Sequence, residues 1–207
     1  GADLEGRLSF PAYAGDGSVF VVSDVSGASG IYRRGEEVAL TLASEGRESF
    51  LAPTNDGGVV FTRQVDGSSD VFVLGHDGEI APVAEGPAEQ SRAVKTHDGF
   101  VLFENDTVLH VGADGARKVL APDIRLPETA FPALSPDGMW VAWSPAVASG
   151  FIGLTRIDDG HTVQLVVAQD APTDLAFGQG GSQVMLAFVA GGVGVDGFPS
   201  LFIADVT

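Results

Sequence analysis

Apolar positions in this chain come in short blocks, never in long ones. "SVFVVS" (Ser18–Ser23), "GVVFTR" (Gly58–Arg63), "FVLFE" (Phe100–Glu104) and "MWVAWS" (Met139–Ser144) are apolar at most positions, and the apolar residues are mainly β-branched or aromatic. Each follows a polar turn: "AGDG", "TNDG", "THDG" and "SPDG", with a weaker fifth copy in "GQGG". The closing glycines are Gly17, Gly57, Gly99, Gly138 and Gly181, at intervals of 40, 42, 39 and 43 residues. A period near forty, built of short strands punctuated by Gly, Asp and Pro, predicts propeller blades. Helical repeats of that length would need long apolar faces at 3.6-residue spacing, and none is present.

Each copy predicts four strands. The first precedes the turn (Leu8–Ala14, Ser49–Pro53, Arg92–Lys95, Ala130–Ser135, Asp174–Gly178) and the second follows it (Val19–Ser23, Val59–Gln64, Phe100–Glu104, Met139–Ser144, Gln183–Val189). Third strands are expected at Gly30–Arg33, Asp70–Leu74, Thr107–Val111, Phe151–Ile157 and Leu201–Asp205. Fourth strands are expected at Glu37–Leu42, Glu79–Ala84, Arg117–Ala121 and Thr162–Ala168. A second strand that is apolar throughout is one covered on both faces. In the fourth copy Val141 and Trp143 then face one neighbour and Trp140 and Ala142 the other, so both tryptophans read as packing residues.

The predicted fold class is all-β, a five-bladed β-propeller of four-stranded antiparallel blades in a single domain. Its blades lie near residues 8–43, 48–85, 90–122, 129–169 and 173–207. "EGRLSF" (Glu5–Phe10) echoes "EGRESF" (Glu45–Phe50), so the chain enters just after a fourth strand. The last blade is therefore either closed by Gly1–Leu4 or lacks its outer strand.

"FPALSPDGMWVAWSP" (Phe131–Pro145), "FPAYAGDGSVFVVSDVSGASGIY" (Phe10–Tyr32) and "DGSSDVFVLGHDG" (Asp66–Gly78) resemble the repeat of the TolB-like propellers, a WD40-like group (the PD40 repeat). The resemblance covers the whole chain, though only the fourth copy has the full Ser-Pro-Asp-Gly. It implies a scaffold that is commonly extracytoplasmic in bacteria, in a group containing periplasmic interaction proteins, peptidase-gating domains and a few lyases. The family usually has more than five units, and the separate N-terminal domain of TolB has no counterpart in this sequence.

Charge narrows the partners. Eleven basic against 28 acidic residues give a net charge of −17, which repels nucleic acid and anionic membranes and favours a basic protein surface or a cation. No apolar run reaches the length of a membrane helix, so no membrane insertion is expected. Zero Cys excludes thiol catalysis and cysteinyl zinc sites.

Candidate chemistry is sparse. His76 and His97 precede Asp-Gly turns and His161 opens a fourth strand, so the histidines read as scattered turn positions rather than a triad or zinc site. "GGVGVDGFP" (Gly191–Pro199) carries a dinucleotide-type glycine spacing without the βαβ context, and one copy of a calcium-binding nonapeptide that works in tandem. "DGSSD" (Asp66–Asp70) offers two carboxylates where calcium wants six to eight oxygens. Asp66, Asp70 and Asp196 are thus the candidate calcium ligands, and no other cofactor is expected. First strands of a propeller line its channel, where Ser9, Glu48, Gln90 with Arg92, Glu128 and Asp174 stand at matching ends. Glu48, Glu128 and Asp174 would form a ring of carboxylates able to supply acid and base to a glycan.

The expected function is that of a non-catalytic extracytoplasmic scaffold, a monomer or a domain of a larger chain. It would bind a basic protein through its acidic loop faces, with loops Asp24–Ser29, Ala146–Gly150 and Ala190–Ser200 as the recognition face. Its binding residues at the channel mouth would be Glu48, Arg92, Glu128 and Asp174. The alternatives are a channel-centred glycan hydrolase or lyase and the propeller domain of a larger peptidase.

Overall fold

The computed structural model describes residues 7–25, 29–41, 46–122, 124, 132–145, 150–167, 172–180, 183–190 and 200–206. They form an all-β chain of five small sheets, the blades of a five-bladed β-propeller. The first sheet holds β1 (Leu8–Tyr13), β2 (Val19–Ser23) and β3 (Gly30–Arg33). The second holds β4 (Arg47–Pro53), β5 (Val59–Val65), β6 (Ser68–Leu74) and β7 (Ile80–Ala84). The third is β8 (Gln90–Lys95), β9 (Gly99–Glu104), β10 (Thr107–Gly112) and β11 (Arg117–Ala121). The fourth is β12 (Ala133–Leu134), β13 (Trp140–Trp143), β14 (Phe151–Arg156) and β15 (Thr162–Val166). The fifth is β16 (Thr173–Gly180), β17 (Gln183–Ala190) and β18 (Ser200–Asp205). In every sheet the hydrogen-bonded neighbour of a strand is the next strand in sequence.

The repeated turn is held by a small set of side chains. The Thr54 hydroxyl accepts from Gly58 N–H (2.8 Å), and Ser135 Oγ accepts from Trp140 N–H (2.9 Å) while donating to Asp137 Oδ1. Asp137 Oδ1 in turn accepts from Met139 N–H (3.0 Å). In the first sheet Asp16 accepts from Ser18 N–H (2.8 Å) and the Ser18 hydroxyl (3.0 Å). The hydroxyl and the aspartate satisfy turn amides that the ladder does not reach, and the closing glycines Gly17 and Gly57 supply φ of 88° and 84°. That division of labour is why the motif recurs.

Among the described residues, no fourth strand forms in the first sheet at the expected Glu37–Leu42. Leu40 N–H donates to Ile31 O (2.7 Å). The Thr41 hydroxyl takes Ile31 N–H (2.9 Å), so a side chain replaces the backbone acceptor over residues 37–41. The fifth sheet likewise has three strands among the described residues, and the expected closing segment Gly1–Leu4 lies outside them.

The chain divides into two compact units, Gly1–Lys95 with Leu102–Asn105, and Thr96–Val101 with Asp106–Thr207. In the first, Phe20, Val22 and Ile31 of the first sheet pack on Leu51, Val59, Phe61 and Leu74 of the second. Val60, on the other face of β5, is also fully buried, so this second strand is covered on both faces as its composition requires. In the second unit, Ala133, Ala142 and Ile152 pack on Leu186, Phe188 and Ala190. Trp143 fills the opposite face of the fourth sheet. Its Nε1–H donates to Thr155 Oγ1 (2.9 Å), and its ring lies where a Cβ on Gly153 would come within 2.2 Å. Gly153→Ala is therefore expected to destabilise the fold by roughly 1–3 kcal/mol through forced displacement of the indole. Urea unfolding measures this, and an unchanged midpoint would contradict the packing.

Candidate functional site

Four of the five first strands carry an irregularity at the same place. Register shifts fall between Ser9 and Ala12 in β1, Ser49 and Ala52 in β4, and Thr173 and Ala176 in β16. Within those bulges Phe10, Phe50 and Asp174 have φ of 48°, 53° and 53°, and Arg92 in β8 matches them at 54°. Left-handed backbone at a side chain as bulky as Phe costs about 1–2 kcal/mol. Contacts made by the side chains offset it: the Phe10 and Phe50 rings lie 4.9 Å apart, and the Arg92 guanidinium sits 4.6 Å from the Phe50 centroid. The first unit thus holds a row of Phe10, Phe50 and Arg92 built on strained backbone, the kind of strain that collects at functional positions.

Beside this row a cleft of about 530 Å³ is lined by Ser9, Phe10, Ser23, Asp24, Arg47 and Glu48, among others. Glu48 stands opposite Arg63 in the β4–β5 register, and Arg63 Nη2–H donates to its Oε1 (3.2 Å). Their side chains are 0% and 8% exposed. The Arg63 guanidinium also lies 5.3 Å from each of the Phe61 and Phe72 ring centroids. Burial pushes the Glu48 carboxyl above the ordinary glutamate value, and the pull of Arg63, with smaller help from the Thr41 hydroxyl, opposes the shift without cancelling it. A carboxyl sealed in this way serves the sheet rather than a substrate. Gln90 is equally buried, and its Nε2 donates to Glu104 Oε2 (3.0 Å).

Arg92 N–H donates to Thr62 Oγ1 (3.1 Å) and its side chain covers Phe50. Asp174, in the second unit, is exposed and accepts from the Thr173 hydroxyl (3.0 Å). Glu128 and Asp196 lie outside the described residues. Asp66 sits in the β5–β6 turn with φ of 50°, and Asp70 Oδ1 accepts from Gly86 N–H (3.1 Å). Among the described residues no three His, Cys, Asp or Glu side chains are grouped to hold a metal ion.

Two clusters escaped the sequence reading. Arg63 ends an apolar run and gave no sign of its pairing with Glu48. His110 is buried in β10 rather than solvated like His76, His97 and His161. Its Nε2 lies 3.2 Å from Asp98 Oδ1 and 3.4 Å from Thr96 Oγ1, and Thr96 donates to Asp98 (3.2 Å). A relay would place the acid on Nδ1 and the hydroxyl on Nε2. Here both meet the same nitrogen, so the three side chains clamp a turn. Spacing alone, Thr-x-Asp with a histidine two strands later, was the available signal.

Asp16, Asp56, Asp77, Asp98, Asp114, Asp137 and Asp159 all occupy first-to-second or third-to-fourth strand turns, which antiparallel order puts at one edge of their own sheets. Several are held ionised. The Ser18 N–H lowers Asp16, the Thr54 hydroxyl lowers Asp56, and Arg156 holds Asp159 far below the usual range. For Asp98 burial works upward, but His110 and Thr96 together keep the group below its ordinary value.

No family model matches the chain, and no curated protein matches it in sequence. Solved structures do match in shape. Virginiamycin B lyase from Staphylococcus aureus aligns with a TM-score of 0.59 at 14% identity, over 97% of this chain and 72% of its own. A luciferin-regenerating enzyme aligns at 0.57 and 12%, over 88% and 71%. A prolyl endopeptidase aligns at 0.60 and 13%, over 99% of this chain and 36% of the larger one. At such identities the likeness carries the propeller fold and none of the chemistry.

The raised Glu48 carboxyl sets a pH dependence. Its folded form binds a proton more tightly than the unfolded chain, so the stability it contributes is full below the ordinary glutamate value and is lost as pH rises through the folded value. Glu48→Gln removes that dependence. Unfolding midpoints measured across acidic to neutral pH should show the variant gaining on the parent as pH rises, and parallel profiles would refute the assignment.

Proposed function

We propose that this protein is a non-catalytic propeller scaffold that binds a basic protein partner through acidic sheet edges. The observation that carries the reading is the fate of the carboxylates. Glu48, the described glutamate of the expected ring, is sealed against Arg63, whereas the turn aspartates are exposed and fixed at sheet edges. Fixed exposed charge produces a field that steers and selects a partner, and a sealed ion pair cannot exchange a proton with a substrate. An extracytoplasmic location and kinship with the TolB-like group belong to the same proposal. So does a monomeric state or a place within a larger chain.

Part of the expected recognition face, the loops at residues 24–29, 146–150 and 190–200, lies outside the described residues; the turn aspartates are at the opposite edge of their sheets. Both edges present carboxylates, so the reading predicts strong salt dependence whichever one docks. Binding of a lysine- and arginine-rich peptide, followed by fluorescence anisotropy, should weaken at least about tenfold when salt rises from about 0.05 to 0.5 M. Asp77→Asn combined with Asp114→Asn should weaken it further at low salt. Binding indifferent to salt would reject the electrostatic reading.

A second reading, an enzyme working with a ring of carboxylates or the propeller domain of a larger peptidase, is compatible with a fold shared with a lyase and a prolyl endopeptidase. The feature it would use is the cleft that Asp24 and Glu48 both line. It requires Glu48 to leave Arg63 for the substrate. Calcium held by Asp66, Asp70 and Asp196 is compatible with either reading and predicts a melting temperature that rises with added calcium and returns with chelator. A melting curve unmoved by millimolar calcium would remove the ion from the proposal.

A further inference from the structure

The seam between the first and second sheets has a buried core of Phe20, Ile31, Val59, Phe61 and Leu74 with Phe10, Leu40, Phe72 and Ile80 partly buried around it. The seam between the fourth and fifth sheets, within the second unit, is built alike: Leu154, Leu165, Phe177 and Val206 are partly buried around the core of Ile152, Leu186 and Phe188. The space they leave is a slot of about 430 Å³, lined by Trp140, Leu154, Leu165, Phe177, Asp137 and Asp205 among others. That volume is in the range of about 300–1,000 Å³ typical of small-molecule pockets.

The register explains how the slot is built. Trp140, Ala142 and Leu154 share one face of the fourth sheet through the pairs Trp140–Arg156 and Ala142–Leu154, and Val163 joins them opposite Leu154. At the position of Trp140 the first two sheets carry Val19 and Val59. An indole therefore replaces an aliphatic side chain at the end of the seam. It is half-buried, unlike Trp143, which Gly153 and Thr155 enclose. Arg156, across the strand pair from Trp140, is engaged by Asp158 (2.8 Å) and Asp159. Asp137 is held in its turn by Ser135 and Met139, and Asp205 accepts from Gln183 Nε2 (2.6 Å). The lining contributes two carboxylates and no basic side chain.

The geometry points to this slot as a binding site for a small organic cation with an apolar body, such as an aromatic or branched aliphatic ammonium. Apolar walls take the body out of water, the indole face attracts the cationic head, and the carboxylates at the slot supply the opposite charge. Two carboxylates disfavour an anionic ligand in the same space, and a neutral one forgoes both attractions. The site shares Asp137 with the edge-binding function proposed above but differs from it in taking a small molecule within one seam.

Benzyltrimethylammonium serves as the probe, with neopentylbenzene as its uncharged counterpart and benzenesulfonate as the anion. Titration by ligand-observed NMR and by tryptophan fluorescence should give saturable binding of the cation at about 1 mM or tighter. The uncharged counterpart should bind at least about tenfold more weakly and the anion not at all. Asp137→Asn keeps the turn acceptor while removing the charge, and should weaken the cation about tenfold. Trp140→Leu should abolish the fluorescence response and weaken binding by a similar factor. Equal affinity for the charged and uncharged probes, or no saturation by the cation up to about 10 mM, overturns the proposal. Because that comparison uses the parent protein, it stands even if a variant fails to fold. Salt-dependent peptide binding that survives a failure here leaves the edge reading intact.

Discussion

The constraint on which this structure rests is that a small antiparallel sheet cannot stand alone. A four-stranded meander closes its hydrogen bonds locally but leaves two flat apolar faces wet, and only neighbouring sheets can cover them. Strand β5 shows the result most plainly, with Val59 and Phe61 buried toward the first sheet and Val60 buried on the reverse face. The hydroxyl–aspartate turns, the bulged first strands and the small residue Gly153 all serve that stacking. Each adjusts a strand end or a surface so that the next sheet can approach.

Charge is distributed to suit the same constraint. Arginine goes inward where it can be matched: Arg63 meets Glu48 and two phenylalanine rings, and Arg92 lies on Phe50. Aspartate goes to the turns, where backbone amides and hydroxyls stabilise the ionised form of Asp16 and Asp56. The net charge of −17 is thus largely a property of edges and connections, not of packed faces.

The fold was legible because its signal repeats. Four strong Asp-Gly turns at near-equal spacing and four apolar runs leave few architectures open, and the assignment of Trp143 to packing followed from strand alternation. What stayed hidden depends on pairings across strands. Nothing in "EGRESF" announces that Glu48 will be neutralised by Arg63, fifteen residues on, because register is set by the bulge at Phe50. The replacement of a ladder bond by the Thr41 hydroxyl is likewise a single side-chain choice, invisible to periodicity. Trp140 obeyed the alternation rule yet proved only half-buried, because alternation predicts a direction and not how tightly the facing sheet closes. Glu48 and Asp174, named together for the carboxylate ring, do not share a position in the repeat: Asp174 matches Phe10, Phe50 and Arg92 in the bulge, and Glu48 lies two residues before it.

Because every ladder among the described residues joins strands adjacent in sequence, hydrogen bonding and burial need not occur together during synthesis. A meander emerging from the ribosome can complete its ladder as soon as its last strand appears. Its faces, such as the one bearing Val60, must then wait for the following sheet. In that interval the nascent chain exposes β-rich apolar surface of the kind that aggregates. The aspartates at its turns, already clamped and charged, act as gatekeepers that keep one half-finished chain away from another.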